Sequence, residues 1–367
     1  MAGQAAQAIT GGGKARESYF DNVKYLTIVL VVCGHAWEPL TYGSRAVTAL
    51  YLTVYAFHMP AFALVSGYMS RSFDMSPRRL KRLVTGVVVP YVVFEVAYTL
   101  FYKVVQDDWK YPFSLLDPWY LMWFLLALFV WRITTPLWLA IRQPVLVSLV
   151  IATAVSMSPD TGGDMALQRV LQFLPFFVVG LVLRPEHFER VRTWRMRVVA
   201  LPVGLAAVVA AYWVAPRFDA GWFYHRGSVV GRDGMTAWDG LWATPALFLL
   251  ALVLTACFLA WVPGRKFWFT ALGAGTIYAY LLHGFVIKTA RWDGWYKHEW
   301  LHTPLGEVAV TLAGIALITV LCTNPVRRVF RFVVEPRMEW AFRPTEPKKR
   351  PEPAAGRDRE RVTVAGG

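Results

Sequence analysis

Runs of apolar residues alternate with short polar or basic segments along almost the whole chain. A helix rises about 1.5 Å per residue, so about 20 apolar residues cross a hydrocarbon core about 30 Å thick. About ten runs are predicted as spans: 23–40, 46–68, 83–102, 118 onward, 144–157, 170–183, 198–214, 241–262, 267–288 and 308–322. The fourth has no clear end, because Arg132 interrupts it, and the fifth and sixth are short. The pattern predicts an all-α, polytopic membrane bundle of about ten transmembrane helices over residues 19–335. Residues 1–18 are expected to be a disordered N-tail, and 336–367, rich in Pro, Glu, Lys and Arg, a disordered C-tail. Residues 1–14 have no apolar core, so no cleavable signal peptide is expected.

Composition agrees with that pattern. Apolar residues make up 56% and charged residues 17%, against about 25% charged in a soluble chain. Seventeen tryptophans suit a protein anchored at two membrane interfaces. A net charge of +14 would suit a nucleic-acid partner, but the basic residues gather in short loops between apolar runs. That is the positive-inside pattern. It points to the lipid bilayer of a plasma or inner membrane rather than to nucleic acid, with both termini cytoplasmic. Cys33, Cys257 and Cys322 fall inside apolar runs without metal-ligand spacing, and are expected to be small buried residues without a disulfide.

Chemistry enters with three histidines inside spans, His35, His58 and His283, each near mid-depth. An ionisable group there is costly and marks a functional site by default. One such histidine is readily structural; three at one depth point to a shared polar cavity. His35 follows Lys24 by about three helical turns, roughly 16 Å, at the end of the run that starts at Phe20. Asp21 or Asn22 is placed to cap that first helix. Glu38 shares a helix face with His35, either orienting its imidazole or marking the outer end of the span. Ser66 lacks a neighbouring base and reads as a packing or hydrogen-bonding residue rather than a nucleophile. Arg71, Arg78, Arg79, Lys81 and Arg82 form the densest basic stretch between spans. They suit anionic headgroups, a phosphate clamp, or both. The ligand spacings of a metal site are missing, so no metal and no bound cofactor are expected.

Five blocks carry a resemblance: Tyr19 to Lys24 with Gly34-His35; Phe57-His58-Met59-Pro60 with Ser66-Gly67-Tyr68; Trp123 to Phe129; Phe173 to Gly180; and Ile277 to Gly284. Their ordered set resembles the acyltransferase-3 family of membrane acyltransferases, closest to a fucose 4-O-acetylase-like branch. The family hallmark is a basic residue, ten residues and a histidine, which falls here on Lys24 and His35. Lysine stands where many members have arginine and cannot form arginine's bidentate fork. The resemblance implies an acyl-CoA donor, acetyl-CoA first, used from the cytoplasm. It implies transfer to a hydroxyl of a sugar, glycolipid, polysaccharide or glycosylated metabolite. His35 and Glu38 become the catalytic candidates. Lys24, His58, Ser66, Arg71, Arg78, Arg79, Arg82 and His283 become candidates for substrate binding. The rival classes are a transporter or flippase of an anionic solute, with the histidines as a proton relay, and a non-catalytic receptor. The paired, broken spans of a two-fold transporter are not found in the sequence.

Overall fold

Backbone N–H and C=O groups find no water in hydrocarbon, so a spanning chain must satisfy them within its own helices or a closed barrel. The computed structural model takes the helical solution. It describes residues 2–158 and 164–343, with side chains from Ser18 onward except at Asp164. Among the described residues there are helices and no strands. In chain order they are α1 (Ala2–Trp37), α2 (Arg45–Ser70) and α3 (Pro77–Leu83), which passes through a π turn at Val84–Val88 into α4 (Val89–Val105). The short helices α5 (Trp123–Ile133), α6 (Thr135–Ala140), α7 (Pro144–Met157) and α8 (Leu167–Val182) follow. α9 (Pro185–Val191) turns from α8 by 101°. α10 (Trp194–Val214), α11 (Ala237–Trp261), α12 (Thr276–Trp292), α13 (Pro304–Leu321) and α14 (Asn324–Val334) complete the set.

Local chemistry fixes several of these boundaries. Ser44 caps α2 by accepting the Val47 N–H at 3.2 Å. Thr236 and Asp239 form a reciprocal capping box at the start of α11. Pro304 opens α13, where its missing N–H costs nothing, and Thr303 accepts the Gly306 N–H.

Among the described residues six helices are long and apolar enough to cross a membrane, or seven if α8 and α9 count as one broken span. The six are α2, α3 with α4, α10, α11, residues 270–292 including α12, and α13. The multi-pass helical bundle therefore stands. The remaining expected spans fall on α1, which carries Asn22, Lys24 and His35, on α8, and on the short apolar helices α5 and α7. The helix of α1 begins at Ala2. The first compact unit ends at Arg337. Of the expected C-tail 336–367, residues 344–367 lie outside the described residues.

Burial separates the central helices from the rim. The span of α2 is 72% buried and that of α10 only 11%, so α2 is the hub and α10 faces lipid. The core is aromatic: Tyr98, Trp131, Phe173, Phe176, Phe177 and Tyr278 are almost fully enclosed. The Trp131 indole donates to the Val170 carbonyl at 3.0 Å, tying α5 to α8. Asn22 is no N-cap, because α1 has already begun. Its amide instead donates to the Pro263 and Arg265 carbonyls and accepts from Thr270, locking α1 to the segment before α12.

The backbones of α2 and α8 approach each other closely at two glycines. A Cβ on Gly67 would run into the Phe177 carbonyl, and one on Gly180 into the Leu64 carbonyl. Small residues allow such backbone contact in membranes. Gly67→Ala should cost about 1–3 kcal/mol through overpacking. Gly204→Ala, whose Cβ meets open space on α10, should not. Thermal unfolding in detergent checks this: equal melting temperatures for the two variants would remove the crossing as a determinant of stability.

Candidate active site

A histidine inside a helix can bond the carbonyl four residues back. His58 Nδ1 lies 2.8 Å from the Val54 carbonyl and His283 Nδ1 2.9 Å from that of Ala279. A carbonyl only accepts, so each neutral ring carries its proton on Nδ1 and leaves Nε2 as an acceptor. The Nε2 of His283 is buried without a hydrogen-bond partner. His35 differs: its Nδ1 lies 3.3 Å from the Tyr55 hydroxyl. Its ring stacks on His283 at 5.6 Å between centroids and tilts against Tyr120 at 5.1 Å.

His35, Tyr55, His58 and Tyr120 line a cavity of about 650 Å³, with His283 stacked behind His35 and outside the lining. His35 and Glu38 line it from the end of α1, with Tyr55 and His58 from α2. Tyr120 and Trp123 come from the lead-in to α5, Arg169 and Phe173 from α8, Tyr224 and Arg226 from the loop before α11, and Lys288 and Arg291 from α12. Among the described residues no group of three His, Cys, Asp or Glu side chains is arranged to hold a metal ion.

The wall at Tyr120 is held from below. Both oxygens of the buried Glu95 accept the Trp119 N–H, at 2.9 and 3.0 Å. The Tyr280 hydroxyl donates to the Leu121 carbonyl. Between these anchors Tyr120 adopts φ 51°, a left-handed conformation a non-glycine residue holds only where its surroundings impose it.

The structure divides the sequence candidates. It brings together His35, His58, Glu38 and, stacked against His35, His283. Glu38 does not turn onto His35. α1 ends at Trp37 and Glu38 opens a 3-10 turn, so the shared helical face is broken and Glu38 pairs with Arg291 at 2.9 Å. Tyr55 takes the place beside His35. Lys24 pairs with Asp21 at 2.8 Å, outside the cavity lining. Ser66 is eight residues, roughly 12 Å, along α2 from His58. Arg71 stacks on Tyr68 and donates to the Leu183 carbonyl. Arg79 bonds Asp74 and Ser72, while Arg78 and Arg82 are exposed. This basic segment follows the far end of α2, roughly 20 Å along it from His58.

Sequence reasoning missed Tyr55, Tyr120, Arg169 and Lys288. A signal existed for the two cations: they sit where basic residues are scarce in the expected topology.

The family model described as an acyltransferase domain matches residues 17–323. The chain belongs to the acyltransferase 3 family. No curated protein and no solved structure matches it. As an acyltransferase 3 member the protein is a multi-pass membrane acyltransferase. The matched region runs from α1 to Thr323, just before α14, so it takes in both the cavity and the Arg71–Arg82 end. If the Tyr55 hydroxyl positions His35, Tyr55→Phe should lower acyl transfer about tenfold, the worth of one hydrogen bond of about 1.4 kcal/mol. Apparent affinity for the acyl donor should stay within about twofold. A matched loss in both would mean that Tyr55 binds donor rather than holding His35.

Proposed function

We propose that the protein is an O-acetyltransferase of the fucose 4-O-acetylase-like kind. It takes acetyl from cytoplasmic acetyl-CoA and places it on a hydroxyl of a sugar, glycolipid, polysaccharide or glycosylated metabolite. It resides in the plasma or inner membrane with both termini cytoplasmic, and carries no bound cofactor. The observation that carries this reading is His35, at a cavity wall, edge-on to Tyr55 and stacked on a second imidazole.

In the mechanism, the Tyr55 hydroxyl oxygen accepts a hydrogen bond from the Nδ1–H of His35, which leaves Nε2 as the base. His35 takes the proton of the acceptor hydroxyl as its oxygen attacks the thioester carbonyl. The new C–O bond forms, the C–S bond breaks, and the proton passes from His35 to the departing CoA thiolate. Neutral His58 has only an acceptor facing the cavity. It therefore suits orientation of the incoming hydroxyl, and the developing oxyanion falls to a nearby cation. Donor phosphates bind at Lys24, Arg71, Arg78, Arg79 and Arg82, so the pantetheine arm carries the thioester inward along the bundle. Ser66 lies on that route. Direct transfer fits better than an acyl-enzyme, because no activated nucleophile lines the cavity among the described residues.

A general base contributes about 10²–10⁴-fold to rate. His35→Ala should lose at least about a hundredfold in transfer of labelled acetyl from acetyl-CoA to membrane glycans, at unchanged expression. His58→Ala and His283→Ala should lose less. A His35→Ala variant that keeps more than a tenth of the activity would move the base to His58 or His283.

A reporter fused at the C-terminus should be active on the cytoplasmic side. Activity on the outer side would make the number of crossings after α1 inconsistent with cytoplasmic termini.

A further inference from the structure

The cavity is electrostatically unbalanced. Its lining holds Arg169, Arg226, Lys288 and Arg291 against the carboxylates Glu38 and Asp117. Glu38 is committed to Arg291. Among the described residues, no carboxylate lies within ion-pair range of Arg169 or Lys288. Each is seated instead on an aromatic face. The Arg169 guanidinium lies 4.1 Å from the Trp123 ring centroid, and the Lys288 ammonium 4.1 Å from that of Tyr120. The Arg169 Nε is buried without a hydrogen-bond partner. A ring face offsets part of the cost of a desolvated cation but accepts no conventional hydrogen bond. The N–H groups of both cations thus remain available within a cavity that also holds His35.

We infer that the acyl acceptor carries an anionic group, phosphate or carboxylate, which Arg169 and Lys288 bind beside His35. This rests on the acyl-transfer reading above and deepens it. The donor's phosphates have the same chemistry, but they sit at the opposite end of the pantetheine arm from the thioester. A phosphate held next to His35 would draw the thioester away from it. The Arg71–Arg82 segment at the far end of α2 offers the donor a separate basic surface. Arg169, with its planar fork, supplies directed contacts to the anion, and Lys288 adds a point charge.

The test uses the purified full-length protein in detergent and isothermal titration with glucose 1-phosphate, glucuronate, uncharged glucose and acetyl-CoA. The charged sugars should bind at least about tenfold more tightly than glucose. Arg169→Gln and Lys288→Met should each weaken the charged sugars about tenfold or more while acetyl-CoA affinity stays within about twofold, and Arg169→Lys should weaken them less than Arg169→Gln. Equal binding of charged and uncharged sugars would overturn the inference. So would a parallel loss of acetyl-CoA affinity in Arg169→Gln, which would place donor phosphates in the cavity. Lys288→Met and Arg169→Lys keep the test decisive should Arg169→Gln fail to fold. Failure of the acyl-transfer reading would appear as wild-type protein without transfer, whatever the titrations show.

Discussion

The backbone contact between α2 and α8 at Gly67 and Gly180 decides where the cavity lies. Two helices that touch at their backbones have almost no freedom to slide or rotate at that point. The contact joins the last turns of both helices, and both lead back to the cavity. His58 is nine residues before Gly67, roughly 14 Å, and Arg169 eleven before Gly180, roughly 16 Å. A contact with no chemistry of its own thus sets the helix that carries His58 and the helix that carries Arg169 at matching depth. The aromatic filling between α5 and α8, above all Trp131, holds the third wall in register.

Around the cavity, polar groups fall into two sorts. Some are closed: Glu38 and Arg291 satisfy each other, and Asn22 spends both ends of its amide on the segment before α12. Others are deliberately half-used. His58 and His283 tie one nitrogen to their own helix and keep the other. Arg169 and Lys288 are steadied by rings rather than by carboxylates. Leaving a buried polar group half-satisfied costs stability. A site intended for ligand tolerates that cost, whereas a purely structural network gains nothing by it.

This division explains what could be read from the sequence. Hydropathy depends on local composition, so the apolar runs, the helical bundle and the mid-depth histidines were legible. The ordered blocks from Tyr19 to His283 made the family legible as well. Partner choice depends on where helices end and which ends meet, and there local reasoning failed. Asn22 looked like a cap because it precedes an apolar run, but the helix starts earlier. Glu38 looked like the partner of His35 because three residues separate them, but the helix stops between them. Arg169, one residue ahead of the expected span 170–183, drew no reading at all. Only the α2–α8 crossing turns it into the cavity.

The segment before α5 carries the last step. Tyr120 touches the His35 ring on one side and the Lys288 ammonium on the other. Its left-handed backbone costs of order 1 kcal/mol. Three bonds offset that cost. Glu95 receives the Trp119 N–H through both oxygens, and the Tyr280 hydroxyl takes the Leu121 carbonyl. Tyr98 adds to them: its ring stacks on Trp119 while its hydroxyl bonds the Leu281 carbonyl. Glu95 belongs to α4, and Tyr280 and Lys288 to α12. The position of one aromatic ring against His35 is therefore set by two helices that do not carry His35. A shift of α12 against α4 would move Tyr120 and Lys288 together, changing the wall beside His35 and a cation on that wall in the same motion. Geometry around His35 is a property of the bundle, not of the helix that bears it.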